Sequence, residues 1–406
     1  MKLKQYAKLI VESGLNVQPH QIVVIQAPIE AYELVRYISE YAFKRQCEDV
    51  IIRYSDEIVE HTRFTYRSVE QWEHYPEHEA LMYNMTARQN ACYLFLTGED
   101  PELMKDIDAK KIAAFSKAKN EATKECRDGR MFMKNSWCIA AVATQKWAEK
   151  VYPKEKNPKE KLWDSIFSIC RINENAISNW ENHKHSFEHK MNLLNSMQIQ
   201  SLHYTNSIGT DFKIDLCEDY LFEGGGSTLK NGIYYFPNIP TEELFTSPER
   251  TSANGKLVAS MPLCYNGNLI EDFWFEFKDG KVTDFGAKTG KDILQSILNI
   301  DENARYLGEV ALVPYDSPIS QTNTLFYETL FDENAACHFA LGSSFAECIK
   351  DGLTMTKEQL MEKGLNDSLT HVDFMIGTKD LKIVATCKNG NEVTIFEDGN
   401  FSSIFK

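Results

Sequence analysis

No stretch of this 406-residue sequence is apolar for long enough to cross a bilayer; its longest runs, such as Ile22–Ile25 and Val310–Val313, are far too short. The N-terminal MKLKQYAKLIVESGLNV has no uninterrupted apolar core followed by small residues, so it does not read as a signal peptide. Positive charge is also short. Lys and Arg total 44 against 59 Asp and Glu, a net charge of −15, which argues against nucleic-acid or anionic-membrane partners, since both need a basic surface. Ten cysteines are present, yet none forms a CxxC pair and their spacing is irregular. A disulfide framework or a Cys₄ zinc site is therefore not expected, and the thiols read as reduced in a cytoplasmic protein. Neither GxGxxG after the first strand nor GxxxxGK(S/T) occurs, which removes the common nucleotide-binding loops. Internal repeats and low-complexity segments are lacking too.

What is there is an ordinary globular composition, 43% hydrophobic and 25% charged, in a chain long enough for two domains. Leu3, Tyr6, Ala7, Leu9 and Ile10 recur at helical spacing, and Gly14 is a stop signal for a helix over 3–13. The β-branched runs QIVVIQAP (21–28), DVIIRYSD (49–56) and ACYLFLTG (91–98) read as buried strands. Helical stretches at 30–45 and 104–118 separate or follow them, so the first domain is expected to be α/β with a parallel sheet. The charged, proline-punctuated VYPKEKNPKEKLWD (151–164) could be a linker, but helical pattern resumes through about Met197. We therefore expect domains at 1–197 and 198–406. The second reads as α+β and hairpin-rich, with turns at Gly209, Asp279-Gly280, Asn389-Gly390 and Asp398-Gly399.

Potential metal ligands concentrate in four segments of this second half. In THVDFMIG (370–377) strand periodicity puts His371 and Asp373 on one face, which suits a divalent ion, although taken alone the polar face of an edge strand is the commoner reading of H-x-D. In FDENAACHFALG (331–342) a loop-to-helix transition could bring Glu333 and His338 to one place, although taken alone a core histidine bonded to a carbonyl is the commoner reading. Glu309 precedes the buried run of GEVALVP (308–314) and is expected at the strand's mouth, since a lone buried carboxylate is costly. Glu242 and Glu243 are adjacent, so their side chains diverge and at most one of them is a natural ligand; Thr241 could instead cap a helix. Together these residues match the donors of a two-metal hydrolytic site, which takes about four to six ligands with one carboxylate shared. Zinc, cobalt and manganese all suit so acid-rich a set. ENHKHSFEHK (181–190) is the rival site, with His185 and His189 at i, i+4, but it lacks the HExxH order and reads as a solvated helix face.

The segments NIPTEELFTSP (238–248), LGEVALVPYDSPIS (307–320), LFYETLFDENAACHFALG (325–342) and SLTHVDFMIG (368–377), with YAKLIVESGLNVQPHQIVVIQAP (6–28), closely resemble the aminopeptidase T/aminopeptidase S family of bacterial metallo-aminopeptidases. The resemblance runs over essentially the whole chain. It implies metal ligands at Glu243, Glu309, His338, His371 and Asp373, with Glu309 as the bridge and Glu333 as a further ligand or supporting carboxylate. It also implies two divalent ions, removal of N-terminal residues from peptides with a free amino terminus, and a homodimer. Glu242 or Glu333 would carry the proton in that reaction. The family's motif after the first histidine usually ends in tyrosine, where this chain has Phe345. A catalytically weakened peptide-binding relative, or another binuclear amidase or dipeptidase, are the alternatives; Ser343, Ser344 or Tyr327 could supply the missing hydroxyl.

Overall fold

A computed structural model describes residues 1–265 and 267–406. The chain forms two compact units, one of residues 1–182 and 226–240, the other of 183–225 and 241–406. The units are thus not separated at a single point near Met197, because residues 226–240 return to the first.

In the first unit the three β-branched runs form strands Ile22–Pro28, Asp49–Ser55 and Cys92–Thr97. They pair in parallel, and Trp137–Ala141 and Asn238–Ile239 extend the sheet in the order 238–239, 137–141, 92–97, 22–28, 49–55. Parallel neighbours need crossovers, which helices such as Tyr32–Lys44 and Ala109–Ala122 supply. The N-terminal helix runs as Lys2–Leu9 and then widens into a π-type turn, Ile10–Gly14. Gly14 is held there by space as well as by propensity: a Cβ would lie 2.9 Å from Cys138 Sγ.

The second unit is built on two antiparallel sheets. The larger runs 281–286, 274–278, 254–258, 211–215, 199–205, 382–387, 392–397, 400–401. Its hairpins turn where Asp279-Gly280 and Asp398-Gly399 supply consecutive positive φ angles. The smaller sheet runs 371–375, 338–342, 307–312, 244–246, 223–224. Strand alternation divides its residues between two faces. Leu244, Val310, Leu312, Phe339, Leu341, Val372 and Phe374 belong to the hydrophobic core. There Phe339 meets Tyr204 and Phe212 of the larger sheet at ring separations of 5.0 and 5.2 Å.

The opposite face carries Phe245, Glu309, His338, Asp373 and His371. The register makes this consistent across strands: Phe245 lies opposite Ala311, Ala311 opposite His338, Glu309 opposite Ala340, and Ala340 opposite Asp373. One irregularity is essential. Leu307 and Glu309 are two apart and would share a face, yet Leu307 is in the core and Glu309 is not. A bulge between them shifts the register and sends Glu309 to the other side. Glu309 is therefore well inside strand Leu307–Leu312 and 4% exposed, not at the strand's mouth as its sequence context implies.

Gly308 makes the bulge possible, because a Cβ there would run into the carbonyl oxygens of Gly342 and Ser343. Gly308→Ala is accordingly expected to destabilise the protein by about 1–3 kcal/mol, the range for overpacking a tight site. Urea denaturation measures this; an unchanged midpoint would show that the bulge does not depend on the glycine.

Candidate metal centre

Strand pairing brings the candidate ligands together from four places in the sequence. Glu243, Glu309 and His338 form one group and Glu309, His371 and Asp373 a second, each with donor atoms within 4.8 Å of one another. Glu309 is common to both. His371 and Asp373 project from the same face of strand His371–Met375, as their spacing requires. His338 opens strand His338–Gly342 directly after the short helical turn Glu333–Ala335, so the chain passes from helix to strand there, not from loop to helix. No helix begins at Thr241; residues 241–243 have no regular structure and lead into strand Leu244–Thr246. The adjacent glutamates diverge. Glu243 approaches His338, with Oε2 at 3.3 Å from Nε2, while Glu242 Oε2 lies 3.8 Å from His183 Nε2.

Both imidazoles are oriented by their far nitrogens. His338 Nδ1 donates to the Ala336 carbonyl at 3.1 Å, and His371 Nδ1 donates to the Ser343 carbonyl at 2.8 Å. Nδ1 is thereby the outer nitrogen and Nε2 faces the cluster, the usual orientation of ligating histidines. His371 Nε2 lies 3.0 Å from Glu309 Oε2 and 3.4 Å from Asp373 Oδ1. The second approach lacks hydrogen-bond geometry, and Asp373 Oδ1 is buried without a hydrogen-bond partner.

Such a concentration of carboxylates is electrostatically unbalanced. Burial and the charge of Asp373 push Glu309 up, against a hydrogen bond from His371. Burial would lower His338, but Glu243, Glu309 and Asp373 carry it up to about 9. Glu333 is driven well above the usual carboxylate range by burial, then by Glu243, Asp373 and Glu309. It belongs to neither three-residue group but lies in their field. Repulsion of this kind and a carboxylate oxygen without a hydrogen-bond partner are both relieved by divalent cations, which also replace protons on inward-facing imidazole nitrogens, so the donor set fits the hard or borderline metals of hydrolytic centres.

Several residues around the centre have little sequence signal. His183 sits on helix Ala176–Ser196 and hydrogen-bonds the Thr241 carbonyl at 2.8 Å through Nε2. The helix is a solvated face at His185 and His189, which are exposed, but not at His183. Asn334, fully buried, accepts the Glu242 N–H at 2.6 Å. Phe345 takes up the flank of His371 with ring centroids 4.9 Å apart and packs on Phe245 at 5.4 Å. A cavity of about 240 Å³ opens beside His371 and Asp373, lined among others by Leu263, Tyr265, Tyr327 and Met375.

An imidazole–carboxylate cluster of this composition, on an α+β unit beside a cavity, has the donors of a metal-dependent hydrolase. Residues 1–401 match the family described as thermophilic metalloprotease (M29), and the chain belongs to it. It is 41% identical to Aminopeptidase AmpS of Bacillus subtilis (strain 168), over 99% of this chain and 98% of that one. To Aminopeptidase 2 of Geobacillus stearothermophilus it is 40% identical, with the same coverage of each. Wild-type AmpT from Thermus thermophilus superposes with a TM-score of 0.92 at 32% identity, covering 98% of both chains. Among the described residues no helix is long and apolar enough to cross a membrane.

Along the same face, the register sets Glu223 of the edge strand opposite Phe245. Burial, then the charge of Glu347, push its carboxyl up to about 7. A carboxyl raised in the folded state keeps a proton that the unfolded chain loses first. Its contribution to stability is therefore greatest at low pH and falls as pH rises from about 4.5 to 7. In metal-free protein, Glu223→Gln should raise stability at pH 8 by on the order of 1–3 kcal/mol and change it little at pH 5. Denaturation at both values checks this; an equal effect at pH 5 and pH 8 would contradict it.

Proposed function

We propose that this protein is an aminopeptidase that removes N-terminal residues from peptides with a water molecule activated at a two-metal centre. The observation that carries the proposal is the pair of ligand groups sharing Glu309, supported by the aminopeptidase names of the relatives. Glu243 and His338 would hold one divalent cation and His371 and Asp373 the other, with Glu309 shared between them. Bound there, such cations supply Lewis acidity, lowering the pKa of a water toward neutrality and polarising a carbonyl. Zinc, cobalt and manganese all suit the donors.

The chain's own groups do the rest. Carbonyls of Ala336 and Ser343 fix the two imidazoles before substrate arrives, which avoids reorganisation during the reaction. Glu333 or Glu242 takes a proton from the attacking water and returns it to the leaving amine. Glu333 is beside both ligand groups without belonging to either. Glu242 is buried, its backbone N–H held by Asn334 and its carboxylate 3.8 Å from His183. The acid-rich field attracts the ammonium of a free amino terminus. A cytoplasmic setting and a homodimer complete the proposal; the first is supported by the unpaired cysteines and the second by the family resemblance.

Leucine-p-nitroanilide should be cleaved by metal-reconstituted enzyme and not by stripped enzyme, while the N-acetylated substrate should resist both. Cleavage of the blocked substrate would point to an amidase of different specificity, and absence of any metal-dependent cleavage would support a peptide-binding relative. Glu309→Gln should reduce turnover by about a thousandfold, the loss of several kcal/mol of transition-state stabilisation. Near-wild-type activity in that variant would refute the shared-ligand role.

A further inference from the structure

Hydrolysis of a peptide places negative charge on the carbonyl oxygen, and a hydrogen-bond donor held at that position speeds the reaction. Phe345, packed against His371, has no hydroxyl to give. The cavity beside His371 and Asp373 is nevertheless lined by two tyrosines, Tyr265 and Tyr327, and the second is held in an unusual way.

Tyr327 has a φ of 58°, in the left-handed region. Bulky residues rarely occupy it, so the surrounding structure must impose it. Here the imposing group is Asp332. Its buried carboxylate accepts the Phe326 N–H at 2.8 Å through Oδ1 and the Glu328 N–H at 3.2 Å through Oδ2, closing on both neighbours of Tyr327. Asp332 itself lines the cavity that Tyr327, His371 and Asp373 line. A strained backbone clamped on both sides, at a residue that lines the same cavity as two candidate ligands, is preorganised.

We propose that Tyr327 is a catalytic residue whose phenol donates a hydrogen bond to the substrate's carbonyl oxygen as it becomes an oxyanion. Asp332 is its positioning residue. No bond to the tyrosine forms or breaks, and its proton stays on the phenol. This role rests on the peptidase reading above.

The test compares wild type with Tyr327→Phe, which keeps the ring and removes the donor. With leucine-p-nitroanilide, kcat should fall by about 100- to 1,000-fold, the loss seen on removing one oxyanion donor, while KM, metal content and melting temperature stay near wild type. The phosphonic acid analogue of leucine, which presents a tetrahedral oxyanion, should bind the variant more weakly by a comparable factor, and leucine itself should bind both proteins equally. If the variant does not fold, a crystal structure of the wild type with that phosphonate decides: Tyr327 Oη within hydrogen-bond distance of a phosphonyl oxygen supports the role, and Oη turned away overturns it. Wild-type turnover with kcat in Tyr327→Phe within threefold would overturn the role while leaving the peptidase reading intact. A metal-loaded wild type without turnover would remove that reading, and the role with it.

Discussion

Most of the second unit is organised around one electrostatic constraint: several carboxylates and two imidazoles must be kept together out of water on one face of a small sheet. A cluster of like charges in a poorly solvated place is unfavourable unless cations join it. The fold meets the constraint by giving the sheet two unlike faces. One is aromatic and aliphatic and locks onto the larger sheet through Phe339 and Phe374. The other carries Glu309, His338, His371 and Asp373, so the rigidity of the core is transmitted directly to the donors. Backbone carbonyls then decide which imidazole nitrogen faces inward.

The bulge at Gly308 shows how finely this depends on local backbone. Without the extra residue Glu309 would point into the hydrocarbon core beside Leu307. With it, a carboxylate 4% exposed becomes the donor common to both ligand groups. The clamp of Asp332 on the segment around Tyr327 is a second local device of the same kind, a buried polar group spent on holding a strained backbone in place.

Much of this architecture was legible in the sequence because its signals are local. Three β-branched runs between helical stretches gave the parallel sheet, and Asp-Gly turns gave the hairpins. His371 and Asp373 shared a face by the two-residue period alone. What could not be read was long-range. That PTEE enters a strand instead of a helix is set by pairing with Leu307–Leu312. That Glu309 is interior follows from a bulge, which a lone glycine does not announce. His183 looked like its exposed neighbours His185 and His189 because helical periodicity does not reveal which residue meets the Thr241 carbonyl. The gathering of Glu243, Glu309, His338, His371 and Asp373 in one centre came from the family resemblance, not from spacing.

A cluster in which two ligand groups share Glu309 should hold two cations. Equilibrium dialysis of stripped protein against zinc, cobalt or manganese, with the bound metal counted per chain, tests it most directly. Wild type should saturate at two ions per chain, with both lost or severely weakened in Glu309→Gln. Saturation at one ion, or binding indifferent to Glu309, would contradict it.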